Sequence, residues 1–156
     1  MSNPTFRQTP RAISLEACGL AVAAEFLSDR WVLLILRELF YGVGRFEDIR
    51  TELQIPKSVL SARLAALMDK GLVEKQPYKA EGSRTRSSYH LTKMGGDLAV
   101  TFLALLEWGN KHLEVATPPV EAVDKTSRRP LRVMVVDRET QKPVALRDVR
   151  FAVKQD

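Results

Sequence analysis

Little in this sequence supports catalysis, secretion or membrane insertion. Of its 156 residues one is cysteine, Cys18, and two are histidine. A single thiol excludes an internal disulfide framework and fits a reducing compartment. No apolar run approaches the roughly 20 residues that a membrane-spanning helix needs. The first dozen residues lack the apolar centre of a signal peptide, so a cytoplasmic protein without membrane contact is expected. Gly42-Val43-Gly44 has neither the third glycine nor the preceding strand of a phosphate-binding loop. His90 and His112 stand far apart with no carboxylate at zinc-binding spacing, and no serine sits in a G-x-S-x-G elbow. No enzyme activity, cofactor or metal is expected. Neither an internal repeat nor a low-complexity tract is evident.

What is present is ordinary globular composition, 45% hydrophobic and 28% charged, with a formal charge of +5. The charge is unevenly spread. Met1–Val43 is neutral, with four basic and four acidic residues, whereas Gly44–Lys93 carries ten basic and six acidic. Met94–Ala116 carries one and three, and Thr117–Asp156 nine and six. A surplus confined to one block suits a phosphate-facing surface.

That block opens with Arg45–Val73. Phe46, Ile49 and Leu53 fall at helical spacing, as do Leu60, Leu64, Leu67 and Met68. Gln54-Ile55-Pro56 between them leaves room only for a tight turn, with Pro56 opening the second helix and Gly71 closing it. Two short helices joined this way form either a helix-turn-helix, whose second member can enter a DNA major groove, or an αα-hairpin that merely packs. Upstream, Leu15–Leu27 is predicted as a helix. Ser28 or Asp29 caps the next, Arg30–Tyr41, where Trp31, Leu34, Ile35 and Leu39 form a broad apolar face expected to be the most buried in the chain. Downstream, Leu72–Tyr78 and Ser87–Leu91 alternate as strands around the basic tip Lys79–Arg86. Following a recognition helix, this hairpin is expected to be a wing whose Lys79, Arg84 and Arg86 meet DNA backbone or minor groove; the alternative is a hairpin that is basic for solubility.

Thr92 is placed to cap a long helix, Lys93–Ala116, whose apolar stripe is too wide for one small domain to bury. A dimer surface is expected there and on the first helix, through Leu20, Leu98, Phe102, Leu105, Leu106, Trp108 and Leu113; the alternative is packing within the chain. The organisation expected is a flexible arm over 1–14, a main domain over 15–116, a linker over 117–130 and a small β-hairpin extension over 131–156. The fold class is α+β, mostly α: a winged helix-turn-helix with extra N- and C-terminal dimerisation helices and a small C-terminal β-unit.

In their order and spacing, Cys18, DRWVLLILRELFYGVGRFEDI, VLSARLAALMDKGLVEK, SSYHLTKMG and LEWGNKHL make the chain resemble the HxlR-type winged helix-turn-helix regulators of bacteria. The resemblance implies a homodimer that binds double-stranded operator DNA and tunes transcription, with a small molecule, or an oxidant or electrophile acting at Cys18, as the signal. It assigns DNA contact to Arg45, Lys57, Ser58, Ser61, Ala62, Arg63, Ala65, Lys79, Arg84 and Arg86. Two departures stand out. Ala62 and Ala65 replace the long polar side chains frequent in relatives, which shifts readout toward thymine methyls and DNA shape. The tail has no cysteine, so it cannot hold zinc through thiolates. The two alanines also suit a rival function, a winged-helix adaptor for other proteins without specific DNA readout.

Overall fold

The apolar stripe of Arg30–Phe40 (α2) decides where the core forms. The computed structural model describes residues 14–78, 86–114 and 118–151, with Arg86 described by its backbone alone. Val32, Ile35, Leu36 and Leu39 of α2 are buried, Ile35 and Leu36 completely. This is an i, i+3, i+4, i+7 set, a tighter helical stripe than the expected one. Trp31 and Leu34, placed at its centre by the sequence pattern, are half-buried flanks. Of the two caps anticipated, Asp29 is the one used: its Oδ1 accepts from the Trp31 and Val32 amides at 2.8 and 3.1 Å. Glu38 is buried in the same helix, where its Oε1 accepts from Arg37 Nε at 2.9 Å.

The N-terminal helix is shorter than expected. Leu15–Ala17 is a single 3-10 turn capped by Ser14, Cys18 is extended, and Gly19–Leu27 forms the helix proper (α1). Glycine is a poor helix former, and Gly19 next to Cys18 makes continuation through this point costly. Cys18 therefore lies at a joint and not inside a helix.

Two short helices follow, Phe46–Leu53 (α3) and Lys57–Asp69 (α4). Ile49, Leu60, Leu64 and Leu67 are fully buried against α2, and Phe46 and Leu53 pack at the edge of the same core. Val73–Tyr78 (β1) pairs antiparallel with Arg86–Leu91 (β2), in register from Val73 opposite Leu91 to Tyr78 opposite Arg86. A third segment touches this ribbon. The Tyr89 amide donates to the Gly44 carbonyl at 2.7 Å, and Arg45 bridges Ser88. A Cβ at Gly44 would stand 2.5 Å from the Tyr89 carbonyl oxygen, so only glycine lets the chain pass there.

The long helix expected over 93–116 is broken. Lys93–Gly96 (α5) and Ala99–His112 (α6) are separate, with a turn at Asp97-Leu98. Gly95-Gly96 weakens the helix where it breaks. Thr92 caps α5 as expected, accepting from the Gly95 amide, and its hydroxyl donates to the Gly71 carbonyl at 2.6 Å. Phe102 packs on Phe40 with ring centroids 5.0 Å apart.

Among the described residues the tail forms antiparallel contacts only as single bridges, Val123 with Pro130 and Val136 with Pro143. The first lies within the stretch expected as linker. The two turns are one motif used twice, thirteen residues apart, which corrects the expectation of no internal repeat. In the first, the Asp124 amide donates to the Arg129 carbonyl, Arg128 donates to the Asp124 carbonyl, and Leu131 donates to that of Ala122. In the second, Asp137 donates to Lys142, Gln141 to Asp137, and Val144 to Val135. Asp124 Oδ1 accepts from the Thr126 and Ser127 amides, and Asp137 Oδ1 from those of Glu139 and Thr140. Arg128 and Gln141 have φ of 59° and 57°.

The chain divides into two compact units, Leu20–Phe102 and the remainder, with α6 contributing its first residues to one and the rest to the other. Within the second unit, Glu107 on α6 accepts from the Val133 amide at 2.7 Å.

Gly44→Ala is expected to cost on the order of 1–3 kcal/mol, because the added methyl group must push strand β2 away. Equilibrium unfolding in denaturant checks this; a variant as stable as the wild type would show that the crossing is looser than described.

Candidate nucleic-acid interface

The rotation of α4 is fixed by what it buries. Leu60, Leu64 and Leu67 lie on one side, and at 100° per residue Ser58, Ser61, Ala62 and Ala65 must lie on the other. All four are exposed, as is Lys57 at the start of the helix. With 13 residues α4 is roughly 20 Å long and carries small side chains outward. A helix of that calibre fits a major groove about 12 Å wide.

The turn before α4 aims it. Gln54 adopts a left-handed conformation with φ 50°, and the Ile55 amide donates back to the Arg50 carbonyl at 3.2 Å. Ile55, buried to 2% exposure, anchors the corner in the core. Pro56 then stands at the N-cap, one residue ahead of its expected place at the first helical position. After α4, Gly71 takes a φ of 71° and reverses the chain into β1, as a C-terminal cap does.

Arg63 is a correction. The resemblance places it among groove-facing residues, yet its Nη2 lies 2.7 Å from Asp29 Oδ2, the cap of α2. Its Nε is buried and has no hydrogen-bond partner among the described residues. It lies well round the helix from Ser61 and Ala65, so it braces α4 against α2. Burial pushes the Asp29 carboxyl up, but the Val32 amide, the Arg63 guanidinium and the Trp31 amide outweigh it and hold it below its ordinary 3.8. Neither residue was legible as a partner of the other in the sequence, where they are far apart in separate helices.

Arg45 is exposed beside the hairpin, with its guanidinium carbon 5.1 Å from the centroid of Tyr78, the last paired residue of β1. A cation over an aromatic face keeps its position while its outer donors stay available. Of the wing residues, Lys79 and Arg84 lie outside the described residues, as does the side chain of Arg86.

A winged helix is thus present, with the small outward face of α4 beside a two-stranded ribbon. Residues 26–117 match the family described as HxlR-like helix-turn-helix. The chain belongs to that family. An uncharacterized HTH-type transcriptional regulator of Mycobacterium tuberculosis is 40% identical over 100 residues, covering 64% of this chain and 62% of its own. The chain thus spans less than two thirds of the length of that relative. Among solved structures, PA1607, a candidate transcription factor, is 28% identical with a TM-score of 0.74, covering 88% of this chain and 96% of its own. The reduced form of the transcriptional regulator YodB from Bacillus subtilis is 28% identical with a TM-score of 0.53, covering 62% and 95%.

The residues expected at a dimer interface separate into three groups. Leu98 and Phe102 are half-buried against the core of their own chain. Leu20, Leu105, Trp108 and Leu113 are exposed, Leu20 to 80%. Leu106 is half-buried and lines a cavity of about 560 Å³ with Leu103, Val120, Leu131, Lys111 and Arg132. Cys18 is half-buried and free. Among the described residues no cluster of histidine, cysteine or acidic side chains could hold a metal ion, and no helix is long and apolar enough to cross a membrane.

Asp29→Ala is expected to cost about 1–2 kcal/mol at neutral pH through loss of the cap and of a partly exposed ion pair. Because the folded carboxyl titrates below its ordinary value, its contribution is present above that value and lost as pH falls through the folded one. The gap between variant and wild type in thermal unfolding should therefore narrow between pH 7 and pH 3. A gap that stays constant would mean that the carboxylate charge contributes nothing.

Proposed function

We propose that this chain is a transcriptional regulator, not an enzyme, that binds operator DNA as a homodimer. Each copy lays α4 in a major groove and the β1–β2 hairpin along backbone or minor groove. The observation that carries this is the outward face of α4. Lys57, Ser58, Ser61, Ala62 and Ala65 are all exposed on a helix whose other side is locked into the core. Serine hydroxyls can pair with any base edge and alanine methyls with thymine methyls. The names of the relatives, HTH-type transcriptional regulators, point the same way. The exposed stripe of Leu105 and Trp108 on α6, with Leu20 on α1, supports association of two copies. The operator is then an imperfect palindrome with half-sites about 10–11 base pairs apart, or a multiple of that.

Duplex DNA from upstream of the protein's own gene supplies the test. Salt-dependent binding by a dimer is expected; a monomer in sedimentation with undiminished operator affinity would remove the dimer from the proposal. Absence of any salt-dependent DNA binding would favour the adaptor, for which Ala62 and Ala65 are the best argument.

A signal can reach such a dimer at two places, the cavity beside α6 or Cys18. Cys18 sits at the joint ahead of α1, and the likeness to YodB, described in a reduced form, supports a redox or electrophile response there. As the only cysteine, it can form a protein disulfide only between chains. Treatment with a quinone or peroxide is expected to change operator affinity in the wild type and not in Cys18→Ser. Equal responses would assign Cys18 to packing and leave the cavity as the receiving site.

A further inference from the structure

We propose that the two turns of the tail form a second, sequence-independent contact to the DNA backbone, made by residues outside α4 and the hairpin. This rests on the reading of the chain as a DNA-binding protein. Both turns hang on the same scaffold: a Val–Pro bridge closes the turn, and an aspartate at its start accepts two backbone amides. Superposing the two by their hydrogen bonds pairs Lys125 with Arg138 and Arg129 with Lys142. Thus each turn carries a cation directly after its aspartate and another directly before its proline. Between those fixed points the residue identities drift, Thr126 against Glu139 and Arg128 against Gln141, while the charge at the two offsets persists.

All four cations are exposed. Among the described residues none of them is in an ion pair, and the tail's Asp148 is taken by Arg147 at 4.0 Å. Each aspartate gives Oδ1 to its own turn amides, at 2.6 Å from Ser127 and 2.8 Å from Thr140, while the four cations are exposed to solvent. Arg128 takes a left-handed φ of 59°, where glycine would cost less. A large cation is held there in spite of the backbone. A repeated motif presenting cations at repeated positions suits a polyanion whose charges also repeat, and duplex DNA is such a partner. Phosphate contact needs no base-specific side chain, which fits the drift between the turns. The first turn has a net charge of +2 over Asp124–Arg129, while the second is neutral over Asp137–Lys142. The first should therefore contribute more.

The test measures affinity and its salt dependence on operator DNA and on an unrelated duplex, with full-length protein. One variant carries Lys125→Gln, Arg128→Gln and Arg129→Gln, a second Arg138→Gln and Lys142→Gln, and a third Lys125→Arg and Lys142→Arg as a charge-retaining control. Thermal unfolding verifies that each is folded, as expected for exposed side chains. The first variant is expected to bind both duplexes less tightly by the same factor, on the order of tenfold. Its log–log salt slope should flatten by about 0.9 for each phosphate that is no longer neutralised. The second should show a smaller loss and the control none. Unchanged affinity and slope in both glutamine variants, with the wild type binding operator normally, would overturn the tail contact, leave the α4 interface standing and point to an acidic protein partner instead. A loss confined to operator DNA would overturn it too, since that is the mark of base readout. A wild type that binds neither duplex would overturn the DNA-binding reading and this contact together.

Discussion

Burial of Leu60, Leu64 and Leu67 is the constraint on which the arrangement of the site depends. At 0%, 1% and 0% exposure, these side chains leave α4 no freedom to rotate about its axis, since a turn of 100° would bring a serine or alanine into the core. Each leucine is worth several kcal/mol there by the cost of its truncation. The outward face is thus specified by the inward one, and the serines and alanines need no interactions of their own to be presented. The Arg63–Asp29 pair adds a lateral tie between α4 and the start of α2. The cap that begins the most buried helix also steadies the helix proposed to meet DNA, so stability and presentation share a residue.

The hairpin is secured by a different device. Gly44 lets a strand-like segment cross beside Tyr89, and Thr92 ties the end of β2 to the carbonyl of Gly71, the cap of α4. The ribbon is therefore fastened at its base to both flanks of the helix-turn-helix. With Arg45 resting on Tyr78, a cation is held toward the far end of the ribbon by the ring beneath it. Positioning here is a property of the backbone crossing more than of any charged contact.

Much of this was legible because the signals were local. The i, i+4, i+7 leucines of α4, the Pro and Gly that bracket it, and the alternation through Tyr89 and Leu91 each act within a few residues. What stayed hidden depended on neighbours distant in sequence. Arg63 is a plausible groove residue until Asp29 is known to lie 2.7 Å away. The apolar stripe of the last helix does not show by itself that Phe102 meets Phe40 of its own chain. The shift of the α2 face from Trp31 to Val32 and Leu36 reflects a different difficulty. Eight of the eleven residues of α2 are apolar, a stripe too broad for the pattern alone to choose its centre.

The tail's repeat escaped for a reason that bears on its chemistry. The period-two apolar alternation that runs on from Leu131 reads as strand; the repeated positions are turn-forming ones, an aspartate, a hydroxyl and a proline. Those residues hold the backbone without a core, which is why the segment keeps defined hydrogen bonds while most of its side chains stay exposed. A structure built this way leaves its remaining positions unconstrained by packing, and cations occupy the same two of them in both turns. The α4 face, by contrast, is small and nearly uncharged. If affinity is to come from phosphates and selectivity from a close-fitting helix, the two demands are best met by different parts of the chain, and the proposed tail contact would separate them in that way.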